Sequence, residues 1–152
     1  MFIQKSFEIG YQVLKPLIFA LTSHDPYVSH KAFTSLCQGI YRLGLETLLD
    51  GNLQGPVELS NAAGFNKNGE IPPTVLHGLG FDRVVIGTVT AKPWKGNPRP
   101  HIRRYPSTET LVNWMGLPGN GACRVGERLH SYEPHEVPLT LNLSPTPQST
   151  DP

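Results

Sequence analysis

The sequence predicts an α/β fold, a few βα units of a parallel sheet behind a helical lead-in. Past residue 50, short β-branched runs alternate with helical stretches, the pattern of strands joined by crossover helices. The run from Arg83 to Val89 is apolar and β-branched enough for a strand buried on both faces. The 15 glycines and 15 prolines supply many tight turns, yet stay below the roughly 25–30% that marks low complexity.

The elements follow in order. In the N-terminal stretch Phe2, Ile3, Phe7, Ile9, Val13, Leu14, Leu17 and Ile18 outnumber the charges, as in a pair of short helical segments. Its longest apolar run, Leu17 to Leu21, is far short of the roughly 20 residues a spanning helix needs. Glu8, Gln12 and Lys15 interrupt the apolar core of a secretory signal, and a mitochondrial transit sequence would carry arginines. The segment therefore docks on the chain's own core or lies in a membrane interface. A second helix opens at Asp25-Pro26, an N-cap acceptor before a proline at the first helical position. Tyr27, Val28, Ala32, Phe33, Leu36, Ile40 and Leu43 then recur near the helical period, and His30 falls near that apolar side.

Asp50-Gly51-Asn52 is a turn and a domain boundary. Val57-Glu58-Leu59 reads as a short strand, Asn61 to Gly69 as a loop, and Thr74 to Gly80 as a helix entered through Pro72-Pro73. Beyond the long strand, a Pro-rich loop runs from Lys92 to Pro106. Helical stretches cover about Ser107–Trp114 and Gly121–Tyr132, Pro138 to Leu143 is a last strand, and Ser144 to Pro152 a mobile polar tail. The expected domains are 1–50, 51–143 and the tail 144–152. The length fits about three βα units of roughly 30 residues, too few for a closed eight-stranded barrel of about 250.

Composition narrows the function. Charged residues are 16%, against about 25% in typical domains, so part of the surface should meet something other than water. A net charge of +1 argues against a general polyanion binder. Two cysteines make no disulfide framework. Cys37 and Cys123 fall in helical stretches and are expected to pack. The six histidines lack metal-ligand spacing, so no metal is expected.

Three stretches can carry chemistry. In the loop Asn61-Ala62-Ala63-Gly64-Phe65-Asn66-Lys67-Asn68-Gly69-Glu70, the small residues let a flat ligand approach the backbone. Lys67 can offer an ammonium to it. Read alone, the stretch is first an ordinary Asn/Gly turn with a solvated lysine. Ile86-Gly87-Thr88-Val89-Thr90 ends the best strand in hydroxyls, where βα folds gather ligand contacts. Asn113-Trp114-Met115-Gly116-Leu117-Pro118-Gly119 sets an amide, donor and acceptor together, beside a glycine turn. Six cations, Arg83, Lys92, Lys95, Arg99, Arg103 and Arg104, occupy a span to Thr108 without an acid. That span reads as a solvated basic face, or as an anion or membrane-surface contact. With Trp94 and Tyr105 it also suggests single-stranded nucleic acid, a weaker reading given the near-neutral charge.

Ala62 to Glu70, Ile86-Gly87-Thr88-Val89-Thr90-Ala91-Lys92-Pro93, Gly96-Asn97-Pro98-Arg99-Pro100 and Asn113-Trp114-Met115-Gly116 together resemble dihydroorotate dehydrogenase, in particular its quinone-using, membrane-associated branch. The resemblance implies the N-terminal half of a (β/α)8 TIM barrel preceded by a small helical domain. It implies FMN-dependent oxidation of dihydroorotate to orotate with quinone as acceptor, in de novo pyrimidine biosynthesis. By motif match Ala63, Gly64, Lys67, Thr88 and Asn142 line FMN. Lys67, Asn113, Met115, Gly116 and Leu117 hold the pyrimidine, and His30 and Arg104 face the quinone tunnel. The implied location is peripheral, on the cytoplasmic side of the inner (cell) membrane, with contact through the N-terminal helices.

The sequence departs from the family at several of these positions. Asn66 stands where the family has Asp, Trp114 where it has Arg, Leu117-Pro118 where it has Phe-Asn, and Ser144-Pro145-Thr146 where it has Gly-Lys-Asn. The family's serine base has no counterpart motif, so no catalytic residue is expected within this chain. It reads as a truncated part that needs a complementary C-terminal half. The alternative is a noncatalytic module that docks on a membrane or partner.

Overall fold

The computed structural model describes residues 25–49, 56–132 and 136–147. The expectations for the N-terminal stretch and for the boundary at residues 50–52 lie outside them. The described elements are α1 (Pro26–Arg42), a 3-10 turn (Glu46–Leu48), α2 (Pro73–Gly78), β1 (Val84–Thr90), β2 (Ile102–Tyr105), β3 (Thr110–Asn113), α3 (Ala122–His130) and β4 (Leu139–Ser144). The chain divides into two compact units, one holding the start of α1 up to Phe33 with Arg99–Trp114, the other Thr34–Pro98 and Met115–Pro152.

Local chemistry explains the helix starts. The Asp25 carboxylate accepts from the Tyr27 and Val28 amides at 2.8 and 3.4 Å, and Pro26 takes the first helical position. Pro73 opens α2, where its missing N–H has no helical partner to lose.

In the larger unit β1 pairs in parallel with β4, from Val84 opposite Leu139 to Thr90 opposite Ser144, and the register slips between Ile86 and Val89. On its other side β1 meets isolated parallel bridges from Ser60 and Asn66. Strand-like segments thus stand in chain order around β1, with α2 and α3 in the connections, the arrangement of a partial α/β barrel. Val84 and Ile86 are fully buried with Val75 and Leu76 of α2, Ile71 before it and Val125 of α3. The long strand is therefore the spine of the core, as its apolar run predicts.

Four expectations are corrected. Val57 to Leu59 is not a strand. Val57 and Leu59 are exposed, and only Ser60 bridges to Arg83, because no second ladder stabilises the segment. The Pro-rich loop expected to Pro106 already contains β2. The helix expected over Ser107–Trp114 is β3, paired antiparallel with β2 from Ile102 opposite Asn113 to Tyr105 opposite Thr110. Glu109 at φ 51° turns the chain, and the Thr110-Leu111-Val112 run has the β-branched character that favours the ladder. Cys123 is the fourth, because it is exposed rather than packed. At the end of the chain Ser144 belongs to β4, and the Thr146 hydroxyl accepts the Lys92 amide at 3.0 Å.

Ile86→Ala should cost about 2–5 kcal/mol, because it opens a cavity at the centre of β1, and urea unfolding followed by circular dichroism measures it. Burial pushes the Cys37 thiol up to about 11. A thiol reagent at neutral pH should therefore label Cys123 in the folded chain and both cysteines only in denaturant.

Candidate functional site

The candidate site is built on the loop from Asn61 to Glu70. Asn61 is buried, and its side-chain amide donates to the Val85 carbonyl at 2.8 Å while accepting the Val85 N–H at 2.9 Å. The Gly64 amide donates to Gly87 O at 2.6 Å, and Gly87 N–H to Asn66 O at 3.2 Å. Asn66, itself buried, clasps the backbone of Ile71, donating to its carbonyl at 2.8 Å and accepting its amide at 3.0 Å. The loop is thus strapped along β1 by groups that would otherwise be orphaned in the core.

Its far half is fixed to the helices. The Arg128 guanidinium donates to Asn68 O at 2.8 Å, the Tyr132 hydroxyl to Gly69 O at 2.7 Å, and Gln38 of α1 to Glu70 O at 3.0 Å. Tyr132 meets Tyr41 edge to face at 5.4 Å. Burial pushes its phenol up to about 12, against the pull of Arg128. The Asn68 carboxamide oxygen accepts the Asn120 amide at 3.0 Å, which joins the loop to the start of α3.

This frame leaves particular groups open. Ala62 and Ala63 are exposed, and a Cβ on Gly64, at φ 94°, would meet nothing within 4 Å. Thr88 is half-buried near the C-terminal end of β1, beside exposed Asn142 on β4. The neighbouring Gly87 is needed there, because a Cβ on it would run into the Asn142 carbonyl. Lys67 is half-buried, and burial lowers its ammonium pKa below the ordinary value. Among the described residues, neither the Lys67 ammonium nor the Thr88 hydroxyl has a hydrogen-bond or ion-pair partner. Ala63, Gly64, Thr88 and Asn142 therefore come together at the strand ends, with Lys67 one residue past the strap.

Met115, Gly116 and Leu117 are half-buried in the same unit. They form an irregular segment with left-handed backbone at Gly116, φ 66°, and Leu117, φ 59°. Trp94 clasps this segment. Its indole N–H donates to Gly116 O at 2.9 Å, and its backbone exchanges hydrogen bonds with Gly119 at 2.9 and 2.8 Å. The Asn97 amide donates to Met115 O at 3.0 Å, and the Asn97 side chain fills the space a Cβ on Gly116 would need. The remaining assigned residues belong to the smaller unit. Asn113 is exposed at the end of β3, Arg104 is half-buried on β2, and His30 is half-buried on α1.

Sequence reasoning missed Asn61, Asn68, Trp94 and Asn97 as positioning residues. A signal did exist, since three asparagines in eight residues after a stretch of strand-like composition suggest side chains bonding backbone. Trp94 was legible only as an aromatic among cations, whereas its indole is committed to Gly116.

The arrangement suits a flat ring system with carbonyl or anionic edges. Bare backbone gives it a surface, while a hydroxyl, an amide and a partly desolvated cation offer polar contacts. The family profile described as dihydroorotate dehydrogenase matches residues 45–151. A protein of Acidithiobacillus ferrooxidans named dihydroorotate dehydrogenase (quinone) is 36% identical over 89% of this chain and 40% of its own length. Its namesake in Natronomonas pharaonis is 38% identical over 88% of this chain and 41% of its own. The crystal structure of DHODH from Eimeria tenella in complex with ferulenol superposes with a TM-score of 0.63 at 28% identity, over 84% of this chain and 37% of that one. The chain thus spans about 40% of the length of these curated relatives.

Asn66→Asp tests the strap directly. A carboxylate cannot donate to Ile71 O, so the change should cost about 1–3 kcal/mol near neutral pH. Burial raises such a carboxyl's pKa, so the loss should shrink in acid, where the protonated group donates again. Denaturant unfolding at the two pH values measures both.

Proposed function

The chain belongs to the dihydroorotate dehydrogenase family, and from that membership we propose that it forms the first part of a flavin-binding barrel that oxidises dihydroorotate to orotate with quinone as acceptor. The observation that carries this reading is half-buried Lys67, whose ammonium has no partner among the described residues, in the same strapped loop as the bare backbone of Ala63 and Gly64. FMN, when bound, supplies the hydride acceptor that quinone reoxidises.

The residues fit that group. Ala63 and Gly64 let a ring lie against backbone, and Thr88 and Asn142 offer it hydrogen bonds. Lys67 holds its ammonium toward an anionic or carbonyl edge, and an anion there restores part of the solvation lost on burial. The backbone of Met115, Gly116 and Leu117, held by Trp94 and Asn97, presents polar groups to a pyrimidine. Asn113 keeps its motif role as a pyrimidine amide, and His30 and Arg104 theirs as quinone-facing residues.

Exposed Leu139, Leu141 and Leu143 alternate along β4. We assign that side to further βα units, which bring the phosphate site and the catalytic base. Association with a membrane belongs to the same reading. Among the described residues no helix is long and apolar enough to cross one.

A chimaera tests the proposal. Residues 56–147 would replace the matching segment of the Acidithiobacillus ferrooxidans relative, and dihydroorotate-dependent quinone reduction is expected. Lys67→Ala in that chimaera should lower kcat/KM by about tenfold to a hundredfold, the worth of a charge-assisted hydrogen bond. A folded chimaera whose turnover ignores the change would refute the assignment. Because burial lowers the Lys67 pKa, orotate affinity should fall as pH rises through a range below that of an exposed lysine. Lys67→Met should flatten that profile in a binding titration.

A further inference from the structure

The hairpin of β2 and β3 carries a surface that neither the flavin nor the pyrimidine reading uses. Its register puts Arg103 opposite Val112 and Tyr105 opposite Thr110. Cross-strand partners and next-but-one residues share a face, so Arg103, Tyr105, Thr110 and Val112 lie on one side of the ribbon. Trp114 continues that side, and the Arg103 guanidinium stacks over its ring at 5.9 Å. Tyr105 is 43% exposed, Val112 41% and Trp114 36%. The same compact unit holds a second pair of this kind, with Arg99 4.7 Å over the Tyr27 ring and donating to its hydroxyl at 3.0 Å.

We infer that this hairpin face, Arg103, Tyr105, Val112 and Trp114, docks on an anionic lipid surface. Tyrosine and tryptophan beside an aliphatic residue match the boundary between headgroups and acyl chains, where amphipathic rings collect. Arginine lays its stem along apolar surface and keeps its charge among the headgroups. Charge complementarity selects an anionic leaflet, since within this unit Arg99 to Thr108 carries three cations, Arg99, Arg103 and Arg104, and no acid, with Glu109 following at the hairpin turn. Single-stranded nucleic acid fits less well. The Trp114 ring already carries Arg103, and Val112 gives a base nothing to stack on. The inference extends the peripheral-membrane reading above to a defined surface, and the experiment separates the two.

The full chain is floated with vesicles of equimolar phosphatidylcholine and phosphatidylglycerol, with circular dichroism as a check on folding. Wild type should bind, and far more weakly to pure phosphatidylcholine. Arg103→Gln should lose about fivefold in partitioning, the worth of one basic residue at an anionic leaflet, and Tyr105→Ser with Val112→Ser should lose more. In a Trp94→Phe chain, brominated lipid should quench Trp114 emission. Binding that survives all these substitutions, with Trp114 unquenched, overturns the hairpin surface while leaving membrane association intact. No vesicle binding by wild type overturns both. Binding to oligo-dT that the same substitutions weaken, without vesicle binding, overturns the lipid assignment in favour of nucleic acid.

Discussion

The structure of the larger unit depends on how the loop from Asn61 to Glu70 is strapped to β1. Backbone in a loop that crosses a core must find partners or lose stability. Here asparagine side chains provide them, Asn61 for Val85 and Asn66 for Ile71. Once those bonds are made, the loop cannot shift without breaking buried hydrogen bonds, so Ala63, Gly64 and Lys67 inherit fixed positions. A site on such a frame needs little ordering when a ligand arrives, which lowers the entropic cost of binding.

The same frame explains the departure at Asn66. A side chain that must donate to one backbone oxygen and accept from the adjacent amide calls for a carboxamide. Asn66 answers a packing demand of this chain, holding the Ile71 backbone from both sides. Trp114 is likewise engaged within the chain, under the Arg103 guanidinium.

Much of this was legible in the sequence. The long strand, the helix capped by Asp25 and opened by Pro26, and the last strand follow from periodicity and cap chemistry, which are local signals. The family resemblance picked out the residues that gather at the strand ends, because its motifs encode that loop and strand order. Three things were hidden. The hairpin of β2 and β3 depends on pairing between segments that each look like loop or weak helix. Val57 to Leu59 has strand composition but lacks a full partner ladder. The clasp of Trp94 on Gly116 joins residues 22 apart, and composition alone says nothing of it.

The central claim is that the strapped loop and the end of β1 present a preformed surface to flavin. Amide chemical-shift mapping of the chain titrated with FMN tests it most directly, because it locates even weak binding. The account predicts saturable shifts concentrated at Ala63, Gly64, Lys67 and Thr88, with the Asn61 and Asn66 side-chain amides unmoved. Saturating FMN that leaves those backbone amides in place, or shifts only residues elsewhere, would contradict it.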